Sequence, residues 1–147
     1  MENLDAVKIA ARNKDNYLKA KAAFNAGDIA GCMQYYSPDH QIMSRKSEKG
    51  RHEIENFLAG MHESWADLQV IVEHVLAEGD WVMGRSRSIA THAKPVLGVP
   101  PTGKVVETTF WDLHRFNDEG LIVETWNLMD NVAVMQQLGL MDGKGNE

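Results

Sequence analysis

The sequence predicts a single α+β domain in which helices pack on one face of a curved antiparallel sheet. Apolar residues recur at helical spacing before Asp67 and in strand-like runs after it. Helices first and strands afterwards are typical of the α+β class. The chain has 147 residues, of which 44% are hydrophobic and 24% charged, so residues 1–147 are expected to form one domain with a proper core.

Three helices are predicted in the first part of the chain. The first runs from Leu4 to about Ala26, where Gly27 stops it. Asp28 offers an N-cap for a short second helix, which ends before Pro38. The third spans Ile54 to Trp65 and gathers apolar side chains on one side.

Five strands are predicted around these helices and after them. His40 to Arg45 is the first and shortest. Leu68 to Leu76 and Trp81 to His92 form a pair joined by a turn at Gly79 and Asp80. The loop from Pro95 to Gly103 then leads into a final hairpin, which contributes the last long strand and its partner.

The final hairpin predicts a functional face. If residues 117–120 form its turn, alternate side chains of the two strands point the same way. The pairs on that face are Phe116 with Ile122, His114 with Glu124, Asp112 with Trp126, Phe110 with Leu128, and Thr108 with Asp130. Ionisable groups beside aromatic residues indicate a ligand pocket, since a charged group removed from water needs a partner or a task. A slip of one residue would exchange the two faces of a strand.

The opposite face of the hairpin is apolar enough to predict a homodimer packed sheet to sheet. Its apolar members are Trp111, Leu113, Val123 and Met129. Beyond the hairpin, residues 132–140 predict one or two helical turns and residues 142–147 a frayed tail.

Composition argues against several classes of protein. A net charge of −6 disfavours a nucleic-acid partner, and the densest basic run, from Arg45 to Arg51, is expected to solvate a loop. The apolar runs are too short to span a bilayer, and the polar N-terminus lacks the core of a secretory signal, so no membrane partner and a cytoplasmic location are expected. Cys32 is the only cysteine and is expected to be a small buried hydrophobe.

Metal, nucleotide and serine-nucleophile motifs are missing from the sequence. His52 and His62 are too far apart for a helical zinc motif, and His62-Glu63 lacks a second histidine at helical spacing. Neither a Gly-x-Ser-x-Gly elbow nor a Gly-x-Gly-x-x-Gly turn occurs. No metal and no organic cofactor are therefore expected.

The second half of the chain resembles the SnoaL-like polyketide cyclase, or ester cyclase, family of the nuclear-transport-factor-two-like superfamily. The residues that carry this resemblance are Leu76 to Val82, Thr91-His92, Gly98 to Lys104, Asp112, Arg115-Phe116, Gly120 to Ile122, Glu124, Trp126, Asp130 and Gln137 to Gly139. The resemblance implies a cone-shaped, cystatin-like barrel, with a bent sheet wrapped over the helices and a ligand pocket inside.

The resemblance also implies a chemistry. Characterised members close a polyketide ring by intramolecular aldol condensation without a cofactor, using an aspartate near the end of the last long strand. By position that aspartate resembles Asp130. The family often carries a histidine near the place of Met43, where this chain departs from the pattern.

An aldol closure needs a base, donors for the enolate oxygen and an acid. Asp130 is expected to act as acid and base, because Trp126 and its apolar surroundings would favour the neutral carboxyl. His114 lies roughly 20 Å along the strand from Asp130, so His92 is the better donor. Asp112 and His114 are candidates for orienting the substrate.

Structural roles compete with each of these assignments. Asp130 could cap the following helix, and Glu124 and His114 could be a self-satisfying cross-strand pair. Asp112 could accept a hydrogen bond from the Trp126 indole, and His92 could be a solvent-exposed residue at a loop edge.

The expected ligand is a small hydrophobic or aromatic carbonyl compound. The substrate-binding candidates are Trp126, Glu124, Tyr17, Tyr36, Trp65, Phe110 and Met43. Most of the helix aromatics could instead be core packing. The leading hypothesis is a cofactor-free cyclase; the alternatives are an isomerase, dehydratase or hydrolase using the same pocket, or a non-catalytic binding or dimerisation module.

Overall fold

Four helices and five strands form the described part of the chain, residues 2–141 of a computed structural model. The helices are α1 (Glu2–Asn25), α2 (Ile29–Met33), α3 (Arg51–Ser64) and α4 (Asn131–Gln137). The strands are β1 (Tyr36–Ile42), β2 (Gln69–Glu78), β3 (Trp81–Thr91), β4 (Val105–Phe116) and β5 (Ile122–Met129). The tail expected over residues 142–147 lies outside the described residues.

The strands form one open sheet in the order β1-β5-β4-β3-β2. The pairings of β2 with β3, β3 with β4 and β4 with β5 are antiparallel, whereas β1 joins the edge parallel to β5. Bulges interrupt three of the four pairings, and bulges bend a sheet. The predicted α+β class, with N-terminal helices on a curved sheet, is confirmed.

The first strand begins earlier than the sequence predicts. The predicted strand is His40 to Arg45, but β1 already starts at Tyr36, and α2 ends at Met33. β1 therefore contains Pro38, which cannot donate a ladder hydrogen bond. The edge position of β1 explains why proline is tolerated there.

One bulge in the last hairpin makes the predicted register wrong. Phe116 pairs with Ile122 as predicted, but Arg115 pairs with Glu124, so Val123 is an extra residue on β5. From this point each β5 side chain faces the opposite side of the sheet from the prediction. The inner-face pairs are His114 with Thr125, Asp112 with Asn127, and Phe110 with Met129.

The helices cover the inner face of the sheet and form the core with it. α1 packs against β2 and β3, and α3 packs against β1. The largest buried apolar side chains include Tyr17, Phe24, Ile54, Phe116 and Ile122. Cys32 is buried as predicted, and burial raises the pKa of its thiol to about 11.

Candidate active site

A buried carboxylate, Asp112, is the centre of a hydrogen-bonded cluster between α1 and the sheet. Tyr17 and Lys21 lie one helical turn apart on α1, so both side chains reach the same point. The Tyr17 hydroxyl donates to Asp112 Oδ1 at 2.7 Å, and Lys21 Nζ donates to Oδ2 at 2.5 Å. His114 Nε2 lies 3.1 Å from the same Oδ2 atom.

Gly84 makes this cluster possible. It pairs with Asp112 on the neighbouring strand β3. A Cβ atom at Gly84 would lie 1.9 Å from the Tyr17 hydroxyl oxygen and 3.0 Å from Asp112 Oδ1. Any larger residue would therefore push Tyr17 away from the carboxylate.

The cluster keeps Asp112 ionised and Tyr17 protonated. Burial by itself raises the pKa of Asp112, but Lys21 and His114 together lower it well below its ordinary range. Burial, reinforced by the Asp112 charge, raises the pKa of Tyr17 far above its ordinary value. The cluster is therefore a carboxylate held by a phenol, an ammonium group and an imidazole.

The hydrogen bonds continue from His114 across the sheet to β1. His114 Nδ1 lies 2.8 Å from Thr125 Oγ1, and His40 Nε2 lies 2.7 Å from the same oxygen. Burial, and then the neighbouring His114, lower the pKa of His40 to about 4, so His40 is neutral at pH 7.

When His114 is neutral, its partners determine which group donates and which accepts in each hydrogen bond from Asp112 to His40. Because Asp112 only accepts, His114 carries its proton on Nε2 and offers Nδ1 as a base. Thr125 then donates to Nδ1 and accepts from His40 Nε2. The His40 Nδ1 atom is buried without a hydrogen-bond partner.

A cavity of about 410 Å³ opens onto this cluster. Its walls are mostly apolar and come from both helices and sheet, with Phe24, Phe57, Leu58, Met61, Phe110 and Ile122 among them. Tyr17, Lys21, Asp112, His114 and Thr125 form a polar patch in it. The exposed lining residues, which mark its mouth, are Ser44, Arg45, Leu128 and Asn131.

Five predicted site residues line this cavity together. They are Asp112, His114, Tyr17, Tyr36 and Phe110. Burial raises the pKa of Tyr36 well above its ordinary value, so its hydroxyl remains a donor. The structure thus brings Asp112 and His114 of β4 together with aromatic residues from α1 and β1.

Asp130 lies outside the cavity lining, in contrast to the expectation that it faces an apolar pocket. Its side chain is exposed, and Oδ1 accepts a hydrogen bond from the Ala133 N–H at 3.0 Å. Asp130 is therefore the N-cap of α4, the structural role weighed against catalysis. Its exposed side chain lacks the apolar surroundings that the prediction required.

His92 and Trp65 form a separate contact away from the cavity lining. His92 is fully buried, so its interpretation as a solvent-exposed loop residue is wrong. Its Nδ1 accepts from the Thr102 N–H at 3.2 Å, and its Nε2 is buried without a partner. The Trp65 ring lies 5.8 Å from the imidazole. His92 thus ties the start of the loop after β3 to its end.

Glu124, Trp126 and Met43 do not line the cavity either. The bulge places Glu124 on the outer face, where it forms an ion pair with Arg115. Trp126 lies beside Trp81 on that face, with ring centroids 5.7 Å apart. The predicted Glu124–His114 and Asp112–Trp126 contacts are therefore wrong, because Thr125 and Asn127 occupy those positions.

Sequence reasoning missed Lys21, His40, Thr125 and Gly84. Lys21 carried a usable signal, since it falls four residues after Tyr17 on the apolar stripe of α1. His40 shares strand parity with Tyr36 and the buried Ile42. The bulge concealed Thr125, and nothing in the sequence marked Gly84.

The described residues contain one group of side chains that could surround a metal ion. Glu48, His52 and Glu53 bring their ligand atoms within 4.8 Å of one another near the start of α3. Glu48 and His52 are exposed, and all three lie outside the cavity lining. Among residues 2–141, no helix has the length and apolar character needed to cross a bilayer.

The fold and the cavity define a small α+β protein with an internal polar cluster, and comparisons identify its family. The model of the SnoaL-like polyketide cyclase family matches residues 14–138. The chain belongs to this family. No curated protein matches it.

Three solved structures illustrate the likeness. AclR from Streptomyces galilaeus, described as a proposed hydroxylase, is 30% identical with a TM-score of 0.83, over 93% of this chain and 87% of that one. IdmH from Streptomyces antibioticus, described as a proposed polyketide cyclase, is 29% identical with a TM-score of 0.76, over 86% and 98%. A SnoaL-like protein from Jannaschia sp. CCS1 is 26% identical with a TM-score of 0.79, over 90% and 95%.

Proposed function

We propose that this protein is a cofactor-free enzyme that moves protons on a hydrophobic carbonyl compound, as in polyketide ring closure by intramolecular aldol condensation. The observation that carries the proposal is the ionised Asp112 beside His114 in an apolar cavity of about 410 Å³. That volume suits a compound of a few fused rings. Membership of the SnoaL-like family supports the same reaction class.

His114 is the base in this proposal, and Asp112 orients it. In this proposal the Thr125 hydroxyl, which donates to His114 Nδ1 in the unliganded protein, turns away when substrate binds. Nδ1 then removes the α-proton, and the electron pair of the broken C–H bond forms an enolate. The enolate carbon attacks the second carbonyl, which forms the ring bond and an alkoxide. The imidazolium returns its proton to that alkoxide, so substrate and product are isomers and no co-reactant is needed.

Lys21 and Tyr36 supply the donors that the reaction needs. The Lys21 ammonium group uses one bond on Asp112 and keeps others for an enolate oxygen. Tyr36 lines the cavity, and its hydroxyl has no hydrogen-bond partner among the described residues. Both groups can therefore bind carbonyl oxygens of the substrate.

Substitution of the pair tests the reaction. Turnover of an anthraquinone-type β-keto ester is followed by absorbance in the native chain and in Asp112→Asn, His114→Gln and Asp130→Ala. We expect kcat to fall at least about 100-fold in the first two variants, since general acid–base catalysis contributes on that order. Asp130→Ala is the matched control and should keep kcat. Equal activity in Asp112→Asn and the native chain would contradict the proposal.

Two alternative functions would use the same cavity, and the same variants distinguish them from a cyclase. An isomerase, dehydratase or hydrolase would lose activity in both variants but act on other carbonyl compounds. A non-catalytic binder would keep its affinity in His114→Gln and show no turnover. Because AclR is described as a proposed hydroxylase, dioxygen consumption is measured in the same assay.

We also propose that the outer face of the sheet packs against a second copy of the chain. Exposed apolar residues on its strands are Ile71, Leu76, Trp81, Met83, Val105, Trp111 and Leu128. Met129, expected on this face, lies on the inner face instead, because of the Val123 bulge. Leu76 pairs with Met83 and Trp111 with Leu128, so exposed apolar side chains are neighbours across these strands, as at interaction sites of soluble proteins.

A further inference from the structure

The mouth of the cavity carries a positive charge that the deep cluster does not balance. Inside, Lys21 is paired with Asp112. Of the residues that line the cavity, the remaining formally charged one is Arg45, whose side chain takes part in no ion pair among the described residues. With neutral histidine, the lining therefore carries a net charge of +1, in a chain whose net charge is −6.

Arg45 is held in position by an aromatic wall of the same cavity. Its guanidinium carbon lies 4.8 Å from the centroid of the Phe57 ring, and Phe57 also lines the cavity. A cation over an aromatic face is attracted by the ring quadrupole and loses some of its freedom. The guanidinium thus lies at the border between apolar wall and solvent, with its N–H groups free of acidic partners in the described part of the chain.

Neutral donors surround the same opening. Asn127 and Asn131 line the cavity, as Ser44 does. The Ser44 hydroxyl donates to Asn127 Oδ1 at 3.3 Å, which leaves the Asn127 amide N–H groups without an acceptor among the described residues. A planar guanidinium and amide donors in the lining of one cavity are well suited to a carboxylate, which accepts several charge-assisted hydrogen bonds.

We infer that the cavity takes a carboxylate-bearing compound, with its apolar body inside and its carboxylate at the mouth against Arg45, Asn127 and Asn131. This inference rests on the proposed function for the nature of the body and adds the class of substrate. Of the basic run that begins at Arg45, only Arg45 then belongs to the binding site. The other basic residues of the run solvate the loop. This carboxylate is a substituent of the apolar body and is separate from the carbonyl groups that react beside His114.

Binding of a matched pair of probes tests the inference. A hydroxyanthraquinone carboxylic acid and its methyl ester are titrated calorimetrically into the native chain, Arg45→Met and Lys49→Met. Methionine keeps an apolar stem over Phe57 but removes the charge. Lys49 belongs to the same loop but does not line the cavity, so its variant controls for loss of overall charge.

The native chain should bind the acid about tenfold more tightly than the ester, as a charge-assisted hydrogen bond predicts. Arg45→Met should lose about tenfold in affinity for the acid and stay within about twofold for the ester. Lys49→Met should bind both probes as the native chain does. Equal binding of acid and ester by the native chain, equal loss of both in Arg45→Met, or an equal effect of Lys49→Met would overturn the inference.

These outcomes are separate from those of the catalytic test, because binding is measured without turnover. If Arg45→Met loses affinity for the acid while Asp112→Asn keeps its kcat, the inferred substrate class is supported and the proposed acid–base chemistry is contradicted. If Arg45→Met binds the acid as the native chain does while Asp112→Asn loses most of its kcat, the chemistry is supported and the substrate class is contradicted. Failure of the native chain to bind either probe would count against both.

Discussion

Asp112 is held as a carboxylate inside the protein by side chains from distant parts of the sequence. Tyr17 and Lys21 lie 95 and 91 residues before it. Their contacts offset the cost of burying a charge, which is several kcal/mol for an unpaired ion. A carboxyl whose pKa is lowered so far does not carry a proton at neutral pH. Asp112 therefore suits an orienting role, and the proposed mechanism assigns the proton transfer to His114.

The neutral His40 predicts a pH-dependent stability. Its pKa is lowered from 6.5 to about 4, so between these values an unfolded His40 binds a proton and the native one does not. The unfolded state then binds more protons, and the free energy of unfolding falls as the pH drops through this window. The loss reaches about 3 kcal/mol at most near pH 4.

Urea denaturation of the native chain and of His40→Leu, at several pH values from 7 to about 4, measures this contribution. We expect the difference in free energy between the two proteins to change across the window, because only the native chain contains the suppressed titration. The lowered pKa of Asp112 acts below its ordinary value of 3.8, outside the window. Parallel pH profiles of the two proteins would show that His40 titrates normally.

At the scale of the elements, the approach of α1 to β3 depends on Gly84. Gly84→Ala places a Cβ atom 1.9 Å from the Tyr17 hydroxyl oxygen, so Tyr17 must leave Asp112 or α1 must shift. We expect a loss of about 1–3 kcal/mol in the free energy of unfolding, as for overpacked cores. The turnover should fall with it, since the Asp112 cluster loses its phenol. Chemical denaturation and kcat measure the two effects.

Gly60→Ala is the matched control for this substitution. Gly60 lies inside α3, and a Cβ atom there meets nothing within 4 Å. Alanine is the better helix former, so the variant should gain about 0.5–1 kcal/mol. A stable, active Gly84→Ala would mean that Tyr17 does not need its present position.

The same elements show what the sequence could predict. Periodicity and turn residues were enough for the helices, the four main strand segments and the turn at residues 117–120, because these depend on neighbouring residues. The bulge at Val123 follows from no such local pattern. Because of it, Thr125 lies opposite His114, where the sequence predicts Glu124. Asp112 and His114 were predicted from β4 alone, whereas Lys21 and His40 required knowledge of how α1 and β1 pack.

At the scale of the whole molecule, one face of the sheet packs against the helices, and the other face is exposed in the single chain. The outer face combines exposed apolar residues with Arg85, Arg87 and Glu107, which form ion pairs across its strands. The mouth of the cavity lies at the ends of β1 and β5, where Leu128 borders both the mouth and the outer face, so a sheet-to-sheet dimer would contact one edge of the mouth.

Light scattering tests the dimer directly. At micromolar concentration we expect a mass about twice that of the 16.5 kDa chain. Trp111→Arg should shift the protein to the monomer, because it removes an exposed aromatic side chain and adds a charge beside Arg85, which now contacts the Trp111 ring. Val7→Glu, which changes an apolar residue on α1 that is more exposed than Trp111 (65% against 46%), should leave the mass unchanged. A monomeric native chain would contradict the proposed dimer. A dimer that persists in Trp111→Arg would show that the interface lies on another face.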